Sequence, residues 1–285
     1  MNNKLINKNI LIIGDSIIDK DIYVSDIGKS LETDSIRTKF IKESFELGGA
    51  SRAVNFISKF DVNIEFFTNL EDQYLNMFHN KFLKLKIHDT QTSSTVEKLR
   101  IKLKKDNTFF TVFQINKDFE SKNKSYSEIF DISNKNYDVI LINDYRTGLF
   151  DKKLIKAVNR LDFKKIVLAS QLSRNELNIS NYSNFNVLIL NKYEFENEFN
   201  KKLNKDDNYK ELFSSRLEKI IVTLGSQGAL LVTKKGNTFF PAQSKEFANT
   251  IGAGDIFIGS YLLFEDISLA NQHALEFLKE INNEL

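Results

Sequence analysis

Five short aliphatic runs constrain this chain more than any other feature: NILIIG at 9–14, DVILIN at 138–143, KKIVLAS at 164–170, NVLILN at 186–191 and KIIVTLG at 219–225. Consecutive apolar, largely β-branched residues leave a strand no side to offer water. Such runs suit strands buried on both faces of a parallel sheet. Between them lie helical spacings, with Leu154, Ile155, Val158 and Leu161 in one stretch and Ala50, Ala53, Val54 and Ile57 in another. Alternating strands and helices imply right-handed crossovers and an α/β sandwich. Each run also ends in a polar or glycine-rich cluster: Gly14-Asp15-Ser16, Asn143-Asp144-Tyr145, Ser170-Gln171, Asn191 to Glu194, and Gly225 to Gly228. Open parallel sheets bind ligands beyond the carboxyl ends of their strands, so these clusters are expected to converge.

Two stretches, about 21–45 and 94–116, break the rhythm with two-residue alternation. Val96, Leu99, Ile101 and Leu103 face Phe110, Val112 and Ile115 across a KKDN turn at 104–107. They predict a small accessory sheet acting as a β-lid and a homodimer interface. No linker or repeat divides residues 1–285, which read as one domain. Forty basic residues against thirty-eight acidic ones give a formal charge of +2, and the basic residues are scattered. No nucleic-acid partner is expected. The absence of cysteine excludes thiolate zinc sites and cysteine nucleophiles, and His79, His88 and His273 lack metal-ligand spacing. The apolar stretch after the N-terminal lysines is too short for a secretory segment, and no run is long enough to span a bilayer. A cytoplasmic protein is expected.

The chain has only eleven glycines, yet NTIGAGDIFIGS at 249–260 places two around an alanine directly before an acid. A turn of Gly252, Ala253 and Gly254 at a helix start leaves N–H groups unobstructed, and the helix dipole adds positive potential. The carboxylate of Asp255 would repel a merely bound phosphate. It is well chosen to take a proton from an attacking hydroxyl while the N–H groups stabilise a phosphoryl group in transfer.

These residues, with others, resemble the ribokinase-like (PfkB) carbohydrate kinases, and within them the bacterial heptose 7-phosphate kinases. NTIGAGDIFIGSYL resembles the family's carboxy-terminal signature, implying Asp255 as general base and Gly252, Ala253 and Gly254 as anion hole, with Asn249 opening the motif on the nucleotide side. IVTLGSQGALLV is similar to the nucleotide-side strand and turn, implying Thr223, Gly225 and Gly228 near ATP. LNKYEFE keeps the N-x-x-E pattern as Asn191 and Glu194, implying contact with Mg²⁺ through water and with the phosphates. ILIIGDSIIDKDIYV implies that Asp19 contacts the sugar, and LGGASRAVNFI resembles the acceptor signature through Gly48, Gly49 and Arg52. EKLRI and INDYRTGL match a lid strand and an acceptor-side strand end, adding Lys98, Arg100, Asp144 and Arg146. The resemblance implies a three-layer ribokinase-like sandwich with a mainly parallel sheet and a small β-lid.

Several positions depart from that pattern. Arg52 replaces an asparagine, Thr147 a lysine, Asn249 an acid, Ser170-Gln171-Leu172 a DPK strand end, and Val112 and Gln114 an arginine and an aspartate. Four cations, Arg52, Lys98, Arg100 and Arg146, predict an anionic acceptor such as a sugar phosphate, because guanidinium groups bind anions through paired charge-assisted bonds. A non-catalytic sugar or nucleotide sensor on the same fold is the alternative. IGDSIID also resembles the GDS block of serine hydrolases, but their late D-x-x-H is absent, since Ala270 stands three residues before His273.

Overall fold

The computed structural model describes residues 7–78, 85–89, 95–106, 108–117, 135–170, 179–243, 247 and 249–283. His79, Gln171 and Leu172, and Ser94 and Asn107 of the expected lid, lie outside them. All five aliphatic runs are strands: β1 (Asn9–Gly14), β8 (Val139–Asp144), β9 (Ile166–Ser170), β10 (Val187–Asn191) and β11 (Lys219–Thr223). β4 (Asn63–Thr68), β5 (Leu85–Asp89), β12 (Gly228–Thr233) and β13 (Gly236–Pro241) complete a nine-stranded sheet of order β13-β12-β11-β10-β9-β8-β1-β4-β5. Its strands from β5 to β11 run parallel, and β12 and β13 add an antiparallel edge.

Alternate residues of each run supply opposite faces. Leu11, Ile13, Ile140 and Ile142 pack with Leu154 and Val158 of α2 (Lys152–Val158) and Phe195 of α3 (Lys192–Glu198). Ile10, Ile12, Val139 and Leu141 pack with Val54 and Ile57 of α1 (Ala50–Ile57) and with Phe257 and Tyr261 of α4 (Ala253–Phe264). α5 (Ile267–Asn283) packs along α4. The sheet is therefore the middle of three layers. Because α4 lies beneath α1 and α5, all of Asp255 to Leu263 is buried, as in a helix that is apolar all round. No helix among the described residues is long and apolar enough to cross a membrane. Strand register aligns Gly14 with Asn143, Asp144 with Ser170, and Asn191 with Thr223, so the polar clusters line one edge.

The second sheet, of order β3-β2-β6-β7, is built from β2 (Ser16–Lys29), β3 (Ile36–Gly49), β6 (Val96–Lys105) and β7 (Thr108–Lys117). Its strands extend past the alternating stretches toward the main sheet. The parallel β2–β6 pairing sets Asp19 beside Lys98, Asp21 beside Arg100 and Tyr23 beside Lys102, all on one face. The opposite face carries Ile22, Leu99, Ile101, Ile115 and Phe113, continued by Phe45 on β3. Register shifts place Ile41 and Val112 as extra residues in β3 and β7, after which Phe40 and Phe110 resume the apolar face. That face is open: Phe113 is 67% exposed, Phe40 59% and Ile115 54%.

Candidate active site

The site grows from the start of α4. Gly252 is its N-cap at φ 88°, a left-handed conformation that favours glycine, and its carbonyl accepts from the N–H of Asp255 (3.1 Å) and Ile256 (3.2 Å). A Cβ added at Gly254 would meet nothing within 4 Å, so the turn faces open space there. Asp255 is 5% exposed, and burial pushes its carboxyl up to about 7. Arg52 opposes that shift, Asp19 adds to it, and Lys98 opposes it. The hydroxyl of Tyr145 donates to Asp255 Oδ1.

The second layer is a chain of alternating charge on the polar face of the lid. Asp19, 7% exposed, accepts from Arg52 Nη2 (2.9 Å) on one oxygen and from Arg100 Nη2 (2.7 Å) on the other. Arg100 reaches Asp21 at 3.4 Å, and Lys102 pairs with Asp21 in turn. Arg52 also donates to Glu46 at 3.2 Å and to the Leu47 carbonyl at 2.8 Å. The paired glycines make room for this network. A Cβ at Gly48 would lie 2.5 Å from Asp19 Oδ2, and Gly49, at φ 61°, starts α1 against the Asp15 carbonyl. Lys98 is half-buried 5.8 Å from the Tyr145 ring and makes no ion pair among the described residues. Its burial lowers its pKa, which Asp19 opposes and Arg100 reinforces.

Thus Asp19, Gly48, Gly49, Arg52, Lys98, Arg100 and Asp255 come together. Asp144 and Arg146 pair with each other at 2.9 Å and with Tyr182, whose hydroxyl donates to Asp144 at 2.6 Å and whose ring lies 5.8 Å from the Arg146 guanidinium. Burial raises the pKa of Asp144. The Arg146 charge is therefore engaged beside the Tyr182 ring. Ser16 is buried with its hydroxyl bonded to Thr68 (2.6 Å) and Ser51 (2.5 Å), while His273 bonds Ser260 (2.8 Å), so Ser16 and His273 do not form the pair a serine hydrolase needs.

Where the sequence leads one to expect the nucleotide, Asn191 and Glu194 form a capping box at the start of α3, each side chain accepting the other's backbone N–H at 2.8 Å. Burial pushes Glu194 up to about 7. Thr223 is the direct neighbour of Asn191 across the β10–β11 pairing. Gly225, at φ 58°, faces open space, whereas a Cβ at Gly228 would lie 2.1 Å from the Phe240 carbonyl, which makes Gly228 a requirement of strand packing. Asn249 exchanges hydrogen bonds with Asn282 of α5 and accepts the N–H of Ile251 (3.1 Å), shaping the entry to the Gly252 turn. The described residues hold no cluster of three metal-ligating side chains. A divalent cation would fit as one carried by phosphate oxygens, with Glu194 reaching it through water.

Sequence reasoning missed four contributors. The sequence marks Tyr145 only as part of a strand end. Asp15 shapes the loop that carries Tyr145, accepting from Tyr145 N (2.8 Å), Thr147 Oγ1 (2.7 Å) and Leu149 N (3.1 Å). Asp21 and Lys102 extend the charged face, and the signal was the parity of Asp19-x-Asp21 against Lys98-x-Arg100-x-Lys102.

Comparison with known proteins bears on the family and the fold. Residues 8–264 match the family described as pfkB family carbohydrate kinase. The bifunctional protein HldE of Helicobacter acinonychis is 24% identical over 274 residues, covering 90% of this chain, and the chain spans 58% of that relative's length. A phosphofructokinase-2 mutant from Escherichia coli superposes with a TM-score of 0.70 at 13% identity, covering 98% of this chain and 95% of the other. The phosphofructokinase-2 from Escherichia coli in complex with fructose-6-phosphate gives 0.65 at 14% identity, over 95% and 90%.

Proposed function

The chain belongs to the pfkB family of carbohydrate kinases, and from that premise we propose that it transfers the terminal phosphoryl group of ATP, with Mg²⁺, to a hydroxyl of a small sugar or sugar phosphate. The observation that supports this most is Asp255, buried and raised toward neutrality, beside a glycine turn that is open at Gly254. Asp255 takes the proton of the acceptor hydroxyl, and the N–H groups of Ala253 and Gly254 meet the phosphoryl oxygens. Asn191, Glu194 and the Thr223 to Gly228 turn carry the nucleotide at the aligned strand ends, with Asn249 holding the turn in place. Mg²⁺, when bound, offsets charge on the phosphates. Asp19 contacts the sugar.

The favoured acceptor is a heptose 7-phosphate-like compound, in keeping with the motif resemblance and the HldE relative. Of the four cations expected around it, Arg52 lies between Asp19, Glu46 and Asp255, Arg100 is committed to Asp19 and Asp21, and Arg146 to Asp144, which leaves Lys98 to read the acceptor's anion. The open apolar face of the lid supports a homodimer formed with a second copy of the chain. The enzyme works in the cytoplasm, where ATP and sugar phosphates are available.

A phosphoacceptor screen with purified protein, ATP and Mg²⁺ tests the reading. Heptose 7-phosphate and fructose 6-phosphate are compared with their unphosphorylated sugars, with Asp255→Asn as control. Transfer to a sugar phosphate that the control loses is expected. Nucleotide binding without transfer to any acceptor would instead indicate a sensor.

A further inference from the structure

Arg52 stands where the family resemblance expects an asparagine, and its anchors leave one nitrogen aside. Nε donates to the Leu47 carbonyl, and Nη2 donates to Asp19 and Glu46. The guanidinium lies 5.9 Å from the Phe277 ring, and the residue is 5% exposed. These contacts fix the planar fork. Nη1 faces the reacting end of the site instead. It stands 3.8 Å from Asp255 Oδ2, beyond hydrogen-bond reach, and a Cβ added at Gly252 would lie 1.9 Å from it. Since Tyr145 occupies Oδ1 of Asp255, Oδ2 is the oxygen left to receive a proton. Oδ2 thus faces Nη1, which packs against the glycine turn at Gly252.

We propose that Arg52 is a catalytic residue, whose Nη1 binds the phosphoryl group as it passes from nucleotide to acceptor between Asp255 Oδ2 and the Gly252–Gly254 turn. The assignment rests on the kinase reading above. In the step, the acceptor O–H bond breaks and its proton goes to Asp255 Oδ2 while the acceptor oxygen bonds to the γ-phosphorus. The bond from that phosphorus to the β–γ bridging oxygen breaks, and its electron pair leaves with ADP. The equatorial oxygens carry the charge of the transferring group, and a permanently charged fork already anchored by two carboxylates meets them with little reorganisation. An asparagine supplies no such charge.

The same nitrogen helps keep Asp255 ionised. The groups facing Asp255 are Arg52 from α1, Asp19 from β2, Lys98 from β6 and Tyr145 from the loop after β8. Removing the Arg52 charge leaves Asp19 opposed by Lys98 alone. The acid limb of the rate profile, set by ionisation of Asp255, must then move to higher pH.

The test compares wild type, Arg52→Gln and Arg52→Lys in ATP turnover with heptose 7-phosphate and fructose 6-phosphate, and in binding of ADP with and without aluminium fluoride, a mimic of the transferring group. Arg52→Gln is expected to lose about a thousandfold or more in kcat, within the range of arginines that act on phosphoryl transfer, with the KM for ATP little changed. Its acid limb should shift upward, and it should bind ADP but not the ADP–aluminium fluoride complex. Arg52→Lys should recover part of each effect, because it restores charge without the fork. Wild-type kcat with an unmoved acid limb in Arg52→Gln would overturn the role of Arg52 and leave the kinase reading standing. Absence of transfer by the wild type would overturn both. Should Arg52→Gln fail to fold, Arg52→Lys decides: wild-type kcat and aluminium fluoride binding with lysine would overturn the proposal.

Discussion

In the nine-stranded sheet a strand such as β8 is apolar on both faces and carries its chemistry at its carboxyl end, in Asn143 and Asp144. In the four-stranded sheet a strand such as β6 carries chemistry along its whole length, on one face only, through Lys98, Arg100 and Lys102. The difference follows from what covers each sheet. Helices on both sides of the large sheet leave room for reactive groups only where its strands stop. The lid has the candidate site on one side and, among the described residues, no other element on its apolar side, so side-chain parity decides which residues face that site. Position along the strand matters in one sheet, and odd or even number in the other.

The sharpest way to break this comparison is through the interior. Phe66, fully buried on β4, packs against Phe78, with ring centroids 6.5 Å apart. Phe66→Ala should cost about 3–5 kcal/mol in chemical denaturation. By contrast, Phe113→Ser with Ile115→Ser, on the open face of the lid, should leave unfolding of the isolated chain within about 0.5 kcal/mol. Light scattering should show that the same double substitution shifts a dimer toward monomer. Equal destabilisation by both changes would mean that the lid's apolar face is interior after all.

Next in size is the strand-end chemistry itself. Asp255→Asn should lower kcat by at least about a hundredfold, as for a positioned general base. The substitution also carries a stability signature with a definite sign. Burial raises the folded-state pKa of Asp255 from 3.8 to about 7, so the folded protein binds this proton more tightly than the unfolded chain. The stability this lends is present below pH 4 and is lost as pH rises through 7. Asparagine does not titrate. The variant should therefore gain Tm relative to wild type on going from pH 5 to pH 8, and a constant difference across that range would remove burial as the cause of the raised pKa.

Where the sequence was legible follows from the same physics. Continuous aliphatic runs have one reading, and all five proved to be strands, whereas NIEFFT, broken by Glu65, was passed over as β4. The glycine turn and Asp255 were legible because a turn so stripped of side chains has few uses. Asn191 and Glu194 could be named but not understood, since an N-x-x-E spacing serves a helix cap as well as a phosphate site, and here it forms the cap. Arg146 was placed among the acceptor cations from its neighbour in sequence. Its positive φ of 56° turns the backbone after Asp144, and nothing local in the sequence announces Tyr182, thirty-eight residues on from Asp144, as its ring partner. The pairing of Asp19 with both Arg52 and Arg100 was likewise hidden, because it needs the parallel register of β2 with β6.

The smallest effect is expected where the two sheets meet, at Lys98. It lies on the charged face of the lid and against Tyr145, which belongs to a strand end of the large sheet. Its neighbour Arg100 is neutralised by Asp19 and Asp21, so truncating Arg100 leaves each of these carboxylates one cation short and should disturb the lid itself. Lys98 has no carboxylate partner among the described residues, and burial lowers its pKa, a state that a bound anion would reverse. Lys98→Ala should therefore leave Tm nearly unchanged and raise KM for a sugar phosphate by about tenfold, the worth of one charge-assisted contact, while KM for the matching neutral sugar stays constant. An equal rise for both sugars would assign Lys98 to shaping the pocket rather than to reading charge. A fall in Tm as large as that of an Arg100 variant would show that parity on the lid marks structure, with the acceptor recognised from the strand ends alone.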